Sequence, residues 1–306
     1  MAQTEGREEV LAAPAGRDYG AVAPAPASQP AQMPDGTAPC PTCGPASAAT
    51  PVSYVYAIGR IEPRFPRLSV EKELAQATGR AGTNGLTDRQ ALHKVLVEPR
   101  NRYLVRQLCW VMMIGGLETY ILVPRDPSDL DLLVEALRPE PQPWDLDVVV
   151  GIRGPIASPE MCNGLLVPIM RFDQIYSFDR ETLIKGIPRP EKVSAREFTA
   201  TAGELFDRVV QMTDNAGATD EHRAVNYLAV RYSAIYATTA TAHARNASLS
   251  AVEIRPSQVS GVRRVVEVIF SYSNRNTDFM EKFFVRVDVT EEFPFLVTKM
   301  SPYVDR

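Results

Sequence analysis

The sequence predicts an α+β fold, with antiparallel β-hairpins at both ends of the domain and a central group of helices. Two pairs of strand-like segments joined by turn signals predict the hairpins, one pair near the start of the domain and one near its end. Amphipathic segments with helical spacing lie between them, and strands and helices do not alternate strictly. The chain shows no internal repeat at a solenoid period, which favours one domain of mixed class.

Residues 1–38 are predicted to be a disordered linker or tail. Their composition is dominated by Ala, Pro, Gly and Gln. Proline fixes φ and lacks the backbone N–H donor, so no helix is expected in a stretch such as "AVAPAPASQP". Residues 39–306 are predicted to form the folded domain.

The composition excludes several classes of protein. The chain has 306 residues, of which 45% are hydrophobic and 23% charged, and its formal net charge is −4. Nucleic-acid-binding domains are usually strongly basic, so nucleic acid is not an expected partner. No apolar run reaches the roughly 18 residues of a transmembrane helix, and no signal peptide follows the initiating methionine. We therefore expect no membrane partner and a cytoplasmic location, where thiols stay reduced.

The first half of the domain reads as a strand, two helices and a hairpin. "SYVYAIGRIEPRFP" has the composition of a strand and ends at prolines. Ser69 is expected to cap the helix "SVEKELAQATG", which should stop at Gly79. Thr87 and Gln90 form a capping box before "ALHKVLV". "YLVRQLCWVMMIGGLETYILVP" is predicted to form two strands that turn at Gly115-Gly116.

The second half is predicted to contain helices and then a set of antiparallel strands. "DPSDLDLLVEALRP" reads as a short helix and "DLDVVVGIRG" as a buried strand. "GLLVPIMRFDQIYSF" is expected to be an edge strand or a bent strand because it contains Pro168. "SAREFTATAGELFDRVVQMTDNAG" and "TDEHRAVNYLAVRYSAIYATTATAHARNA" are each predicted to be one longer helix. The last strands alternate clearly at "FFVRVDV" and turn at Asn274-Arg275-Asn276-Thr277.

The common catalytic and phosphate-binding motifs do not occur. The chain lacks a Gly-x-Ser-x-Gly elbow, a His-Glu-x-x-His pair and a P-loop. The three histidines, His93, His222 and His243, lack a paired ligand spacing and are expected to be surface or packing residues. Of the three, His93 is the reserve candidate for a metal ligand. The carboxylates at the start of the short helix are expected to favour its N-terminal dipole; they are Asp126, Asp129 and Asp131. Three arginines flank Phe65 and either bind an acidic peptide or pack against carboxylates; they are Arg60, Arg64 and Arg67.

The four cysteines are the strongest chemical signal in the chain. Cys40 and Cys43 form a C-x-x-C pair at the start of the domain, whereas Cys109 and Cys162 lie in a strand and a loop. In a reducing compartment, one C-x-x-C pair and two further cysteines, with none left over, predict a structural zinc site with four thiolate ligands. Two alternatives stay open, namely a free C-x-x-C pair beside two buried thiols, and a redox-active dithiol.

Several long blocks of the sequence resemble one family. They include "YVYAIGRIEPRFPRLSVEKELAQATGR", "GLETYILVPRDPSDLDLLVEALRP", "FDQIYSFDRETLIKGIPRPE" and "MEKFFVRVDVTEEFPFLVTKMSPY". Over residues 39–306 the chain resembles the C-terminal domain of the PatA/PatG cyanobactin maturation proteases. The resemblance implies an accessory module of ribosomal peptide biosynthesis without an assigned biochemical role. It does not imply protease or macrocyclase activity, because the subtilisin-like motifs of the upstream protease domain are not found in this chain.

The resemblance and the cysteines together predict a non-catalytic, zinc-stabilised accessory or scaffold protein of cyanobactin-like biosynthesis. It would bind a precursor peptide or the peptide-modifying enzymes, for instance by adding a strand to an exposed hairpin edge. A homodimer is another way to cover such edges. The alternative is an enzyme that acts on the peptide, either through Cys162 as a nucleophile beside a histidine or through a zinc ion with an open coordination position.

Overall fold

The structure is a computed structural model that describes residues 52–258 and 261–304. Within these residues the chain forms ten strands in two sheets, together with eight α-helices. The strands are β1 Tyr54–Arg64, β2 Cys109–Ile114, β3 Leu117–Pro124, β4 Asp145–Ile156, β5 Pro168–Asp179, β6 Ala247–Pro256, β7 Val265–Asn274, β8 Met280–Asp288, β9 Phe295–Leu296 and β10 Ser301–Pro302. The helices are α1 Leu68–Arg80, α2 Asp88–Val97, α3 Arg102–Gln107, α4 Leu130–Ala136, α5 Arg180–Lys185, α6 Ala195–Val210, α7 Asp220–Arg231 and α8 Ala234–Ala244.

The first sheet closes on itself in the order β1-β2-β3-β5-β4, and β4 pairs back with β1. All its pairs are antiparallel except β3 with β5. A small closed sheet needs strongly coiled strands, which glycines and bulges permit. A Cβ on Gly59 would lie 2.2 Å from the Met113 carbonyl oxygen, and one on Gly151 would lie 2.3 Å from the Arg171 carbonyl oxygen. Only glycine therefore fits at these two close approaches between strands.

The second sheet is open and antiparallel, in the order β10-β8-β7-β6, with β9 paired to β8. The alternation predicted at "FFVRVDV" is present, since Val285, Val287 and Val289 are all fully buried. The hairpin turn between β7 and β8 lies where Asn274 to Thr277 predicted it. The buried face of this sheet packs with α6, α7 and α8 in one hydrophobic core.

Strand β1 divides the two main cores of the molecule. Tyr56 and Ile58 belong to the core formed with α6, α7, α8 and the open sheet. Val55, Ala57 and Ile61 belong to the core formed with α1 to α4. This division follows from the two-residue period of a strand, which sends successive side chains to opposite faces. The fold is therefore α+β with hairpins at both ends, as predicted from the sequence.

Two local predictions from the first half are confirmed and two are wrong. The Thr87–Gln90 capping box is present, and Gly115-Gly116 joins β2 to β3 with φ values of 57° and 83°. Helix α1 begins at Leu68, because Arg67 and not Ser69 occupies the N-cap position. At its other end the helix continues through Gly79. The segment "YLVRQ" forms α3 instead of the first part of a strand.

The segment that contains Pro168 is a strand, but it does not lie at an edge of its sheet as one of the predictions had it. Strand β5 lies between β3 and β4 in the closed sheet. Pro168 is its first residue, where a missing N–H donor is tolerated. A further helix, α5, follows directly, and its N-cap Asp179 accepts a hydrogen bond from the Thr182 amide at 2.7 Å.

The single long helix predicted over "TDEHRAVNYLAVRYSAIYATTATAHARNA" is two helices. Helix α7 ends at Arg231 and α8 begins at Ala234, because Tyr232 has extended backbone angles. The hydroxyl of Tyr232 accepts a hydrogen bond from the Met300 amide at 2.9 Å, which ties this residue to the end of the chain. In the described part of the chain, no helix has the length and apolar character needed to cross a membrane.

Candidate functional site

The structure places two of the four predicted zinc ligands side by side. Cys109 begins β2, Cys162 lies in the β4–β5 connection, and their sulfurs form a disulfide with Cα atoms 5.6 Å apart. That separation is within the usual range for a disulfide. Ile121 and Ala157 pack around the buried Cys162 side chain, whereas Cys109 is half-buried. Cys40 and Cys43 lie outside the described residues.

The disulfide changes what these cysteines can do. A sulfur in a disulfide is not a thiolate, so zinc binding by this pair requires reduction first. The predicted nucleophile Cys162 likewise lacks a free thiol, and its side chain is only 1% exposed. Among residues 52–258 and 261–304, no group of three or more His, Cys, Asp or Glu side chains has the arrangement of a metal site. The four-cysteine zinc site stays a prediction, because two of its ligands are not described.

The other predicted residues serve local structure. Arg64 forms an ion pair with Glu118, and Arg60 donates to the Pro143 carbonyl oxygen, so these two arginines pack against acceptors of the domain itself. The carboxylate of Asp126 accepts from the Ser128 amide at 2.8 Å and caps the turn before α4. Half-burial lowers the pKa of His93 below its ordinary value.

A pocket lined by aromatic residues lies where the closed sheet meets α7 and the β8–β9 connection. Its volume is about 350 Å³, which is at the lower end of the range for small-ligand sites. We name it the tyrosine pocket. It is lined by Tyr56 from β1, Tyr176 from β5, Tyr227 and Arg231 from α7, and Phe293 and Pro294 from the β8–β9 connection.

The local structure explains why these side chains converge. Tyr56 lies on the face of β1 that points toward α7, as the burial of Ile58 in the same core shows. Tyr227 and Arg231 are four residues apart on α7, so they lie on one side of the helix. Tyr176 pairs with Val148 of β4, which separates β1 from β5 in the sheet.

Tyr56 has an unusual environment for a buried phenol. Its side chain is only 3% exposed, and its hydroxyl makes no hydrogen bond of standard geometry among the described residues. Burial raises the pKa of Tyr56 to about 12, although the nearby Arg231 guanidinium opposes this shift through its charge and by donating toward the phenol oxygen. The phenol is therefore protonated at neutral pH and available as a donor. Leaving a buried hydroxyl proton without an acceptor costs about 1–3 kcal/mol, and a ligand acceptor at this position would remove that cost.

Arg231 is held by an aromatic ring and not by a carboxylate. Its guanidinium carbon lies 4.4 Å from the centroid of the Tyr176 ring, which is a cation–π contact. In the described part of the chain, no Asp or Glu forms an ion pair with Arg231. The positive charge therefore remains available to a ligand.

Buried polar contacts fix the walls of the pocket. Arg223 is 1% exposed and donates to the Val289 and Glu292 carbonyl oxygens at 2.7 and 3.2 Å, and also to that of Glu291. These contacts hold the chain segment that leads to Phe293. On the opposite wall, the Asn226 amide donates to the Tyr56 carbonyl oxygen at 2.9 Å. The pocket is thus built on anchored backbone.

Sequence analysis did not identify the tyrosine pocket. Its residues come from four separate segments, and the close neighbours in sequence are Tyr227 with Arg231 and the adjacent Phe293 and Pro294. An aromatic residue four positions before an arginine on a helix is the one local signal that could have pointed to it.

Comparison with known proteins supports the expected resemblance. Residues 192–303 match the family model described as PatG C-terminal. The solved structure described as "PatG Domain of Unknown Function" is similar, with a TM-score of 0.66 and 18% sequence identity. The match covers 82% of this chain and 98% of that one, and at this identity it establishes the fold alone. No curated protein sequence matches the chain.

Proposed function

From the match of residues 192–303 to the PatG C-terminal family model, we propose that the chain is a non-catalytic accessory protein of cyanobactin-like peptide maturation. It would bind segments of a precursor peptide, and the tyrosine pocket would be the binding site. The family match supports the biosynthetic setting, and the chemistry of the pocket supports the peptide as ligand.

The observation that carries the proposal is the buried Tyr56 hydroxyl, whose proton has no acceptor among the described residues, beside the Arg231 guanidinium, which no described carboxylate neutralises. Both groups can donate hydrogen bonds to a ligand. A peptide supplies what they lack, because each residue carries a carbonyl acceptor. The aromatic walls supply the apolar contacts that a peptide side chain needs, as is usual in ligand pockets.

The same residues favour binding over catalysis. General acid–base catalysis needs a group whose pKa lies near the working pH. A tyrosine with a pKa of about 12 does not meet this condition, and an arginine is always protonated. The six residues that line the pocket include no carboxylate, histidine or cysteine. The arrangement can hold and orient a peptide, and the raised pKa of Tyr56 opposes formation of the phenolate that a nucleophilic role would need.

The open sheet offers a second surface for partners. Among the described residues, β6 pairs only with β7, so one side of its ten residues is an edge. The closed sheet has no edge of this kind. Strand addition of a modifying enzyme, or of a second copy of the chain, would therefore occur at β6. Arg208 occupies part of this edge, because it donates to the Leu249 carbonyl oxygen.

We propose a structural zinc ion for the reduced protein only. Reduction would give two thiols on Cys109 and Cys162, and Cys40 and Cys43 would supply the remaining ligands of a tetrahedral site. This part of the proposal is supported by the sequence, in which four cysteines include one C-x-x-C pair and none is left over.

Peptide binding can be tested with fluorescent leader and core peptides of the precursor. We expect saturable binding and a loss of about tenfold in affinity in Phe293→Ala, since truncation of an aromatic anchor typically costs more than about 1 kcal/mol. Phe293 is 45% exposed, so its truncation should leave the fold intact. The matched control is Phe279→Ala, which removes a 63% exposed phenylalanine outside the pocket. Absence of binding by any such peptide, or equal losses in both variants, would refute the proposal.

A further inference from the structure

The polar groups of the tyrosine pocket carry one net positive charge and offer more hydrogen-bond donors than acceptors. The Tyr56 hydroxyl is close enough to Tyr176, Tyr227 and Arg231 for all three to influence its pKa, so four polar groups meet in one place. Each neutral phenol can donate or accept a hydrogen bond, whereas the guanidinium has five N–H groups and no acceptor. A ligand with acceptor atoms and negative charge complements this set.

The contact between Arg231 and Tyr176 leaves the donors of the guanidinium available. A cation–π contact is made with the face of the ring and consumes no conventional hydrogen bond. The N–H groups can then bind two oxygens of one acidic group in parallel, which is the strong bidentate form of such pairs. One cation balances the single charge of a carboxylate, whereas a phosphate monoester brings more charge than the pocket can neutralise.

The rest of the pocket indicates that the acidic group is attached to an apolar body. Phe293 forms part of the wall and is 45% exposed. Phe295 and Val297 of the same segment are also exposed, and we call these three residues the apolar stripe. A ligand that places its acidic group at Arg231 would lay its neighbouring side chains along this stripe.

We propose that the tyrosine pocket recognises a peptide carboxylate next to an apolar side chain, with Arg231 and Tyr56 as the groups that bind its oxygens. This inference rests on the proposed function, since it names the part of the peptide that the pocket selects. The carboxylate has two sources, the free C-terminus of a peptide or the side chain of Asp or Glu. Both present the same two oxygens to the guanidinium.

The test uses the full chain and three synthetic peptides with one shared apolar sequence. One peptide has a free C-terminus, the second is amidated, and the third is amidated and ends with Glu. We expect the free acid to bind about tenfold more tightly than the amide, because a hydrogen bond to a charged group exceeds a neutral one by roughly that factor. If the Glu peptide equals the free acid, both sources fit the pocket; if it equals the amide, the pocket reads the C-terminus only.

Two variants connect the preference to the named residues. Arg231→Gln should abolish the difference between the free acid and the amide. Tyr56→Phe should weaken binding of the free acid by about two- to tenfold, the range for one hydrogen bond. It should change the thermal stability little, because the lost hydroxyl makes no hydrogen bond of standard geometry among the described residues. Arg196→Gln, which changes an exposed arginine of α6 outside the pocket, should retain the preference.

The outcomes separate this inference from the proposed function. Equal binding of the free acid and the amide, or a difference that persists in Arg231→Gln, overturns carboxylate recognition and leaves peptide binding intact. Absence of binding by all three peptides, together with the leader and core peptides, overturns both.

Discussion

Reduction of the Cys109–Cys162 disulfide should lower the free energy of unfolding by up to about 4 kcal/mol. The two cysteines are 53 residues apart in sequence, so the bond closes a long loop in the unfolded chain. For a loop of this size the chain-entropy relation gives about 14 cal/mol/K, which is about 4 kcal/mol at room temperature. This figure is an upper value, because residual structure in the unfolded chain reduces the entropy that the bond removes.

The measurement is urea unfolding of the protein with and without a reductant, followed by a count of alkylated thiols. Cys109→Ser should be as unstable as the reduced protein and insensitive to the reductant. Position 109 is the better site for the substitution, because it is half-buried and the hydroxyl of the introduced serine can reach water. Position 162 is buried, so a serine hydroxyl there could not. Cys43→Ser is the matched control and should have no effect on the oxidised protein.

Two results would refute this reasoning. Equal stability of the oxidised and reduced proteins would show that the bond contributes nothing to folding. A protein with four free thiols, destabilised both by a chelator and by Cys43→Ser, would show instead that a zinc site joins Cys109 and Cys162 to the C-x-x-C pair.

Three further perturbations test the fold around the pocket. Gly217→Ala should lower the free energy of unfolding by about 3 kcal/mol, because φ is +71° and a Cβ would lie 2.3 Å from a backbone oxygen of β1. Gly85→Ala, at φ +81° in open space, should lower it by about 1 kcal/mol. Urea unfolding of both variants measures the two losses. Arg223→Met should cost about 3–5 kcal/mol by the same assay, since three loop carbonyls lose their buried donor. Asp179→Ala should cost about 1 kcal/mol at pH 7 through the lost N-cap of α5. Hydrogen bonds from the Thr182 side chain and then from the Thr182 backbone amide lower the pKa of Asp179 in the folded protein. The stabilising effect of Asp179 is therefore present above the unfolded pKa of about 3.9 and is lost as the pH falls through the folded value. Asp179→Asn should keep the cap without this pH dependence.

Local chemistry was sufficient to predict most elements of the fold. The capping box at Thr87 and the glycine pair at 115–116 act within a few residues, and both are present as expected. The alternation around Val285 similarly needs only the two-residue period of a strand. These signals predict the elements, but they do not specify which strands pair.

The failures occur where contacts outside a segment decide its structure. Tyr232 leaves the helical path although its neighbours favour a helix, and its hydroxyl is bonded to the Met300 amide, 68 residues away. The segment "YLVRQ" has an apolar pattern too short to separate a strand from a helix. In the structure the Val105 carbonyl of this segment accepts a hydrogen bond from the Trp110 indole at 3.0 Å. Neither partner can be read from the segment itself.

The tyrosine pocket could not be predicted for a related reason. Tyr56 is opposite Val150 of β4, and Tyr176 is opposite Val148 of the same strand. The two tyrosines come together only because β4 lies between β1 and β5 in this register. A shift of one residue in either pairing would turn one phenol to the other face of the sheet. Strand register is not encoded in the composition of either strand.

The division of the pocket between segments bears on how the domain should be defined. The family match covers 192–303, which supplies Tyr227, Arg231 and Phe293. The floor and one wall come from Tyr56 and Tyr176, which lie outside that range. Because β1 also contributes to the core that α6, α7 and α8 form, the matched segment would lose part of its hydrophobic interior together with the buried phenol if it were separated. The match to the similar solved structure covers 82% of the chain, so the shared fold extends well beyond the segment 192–303.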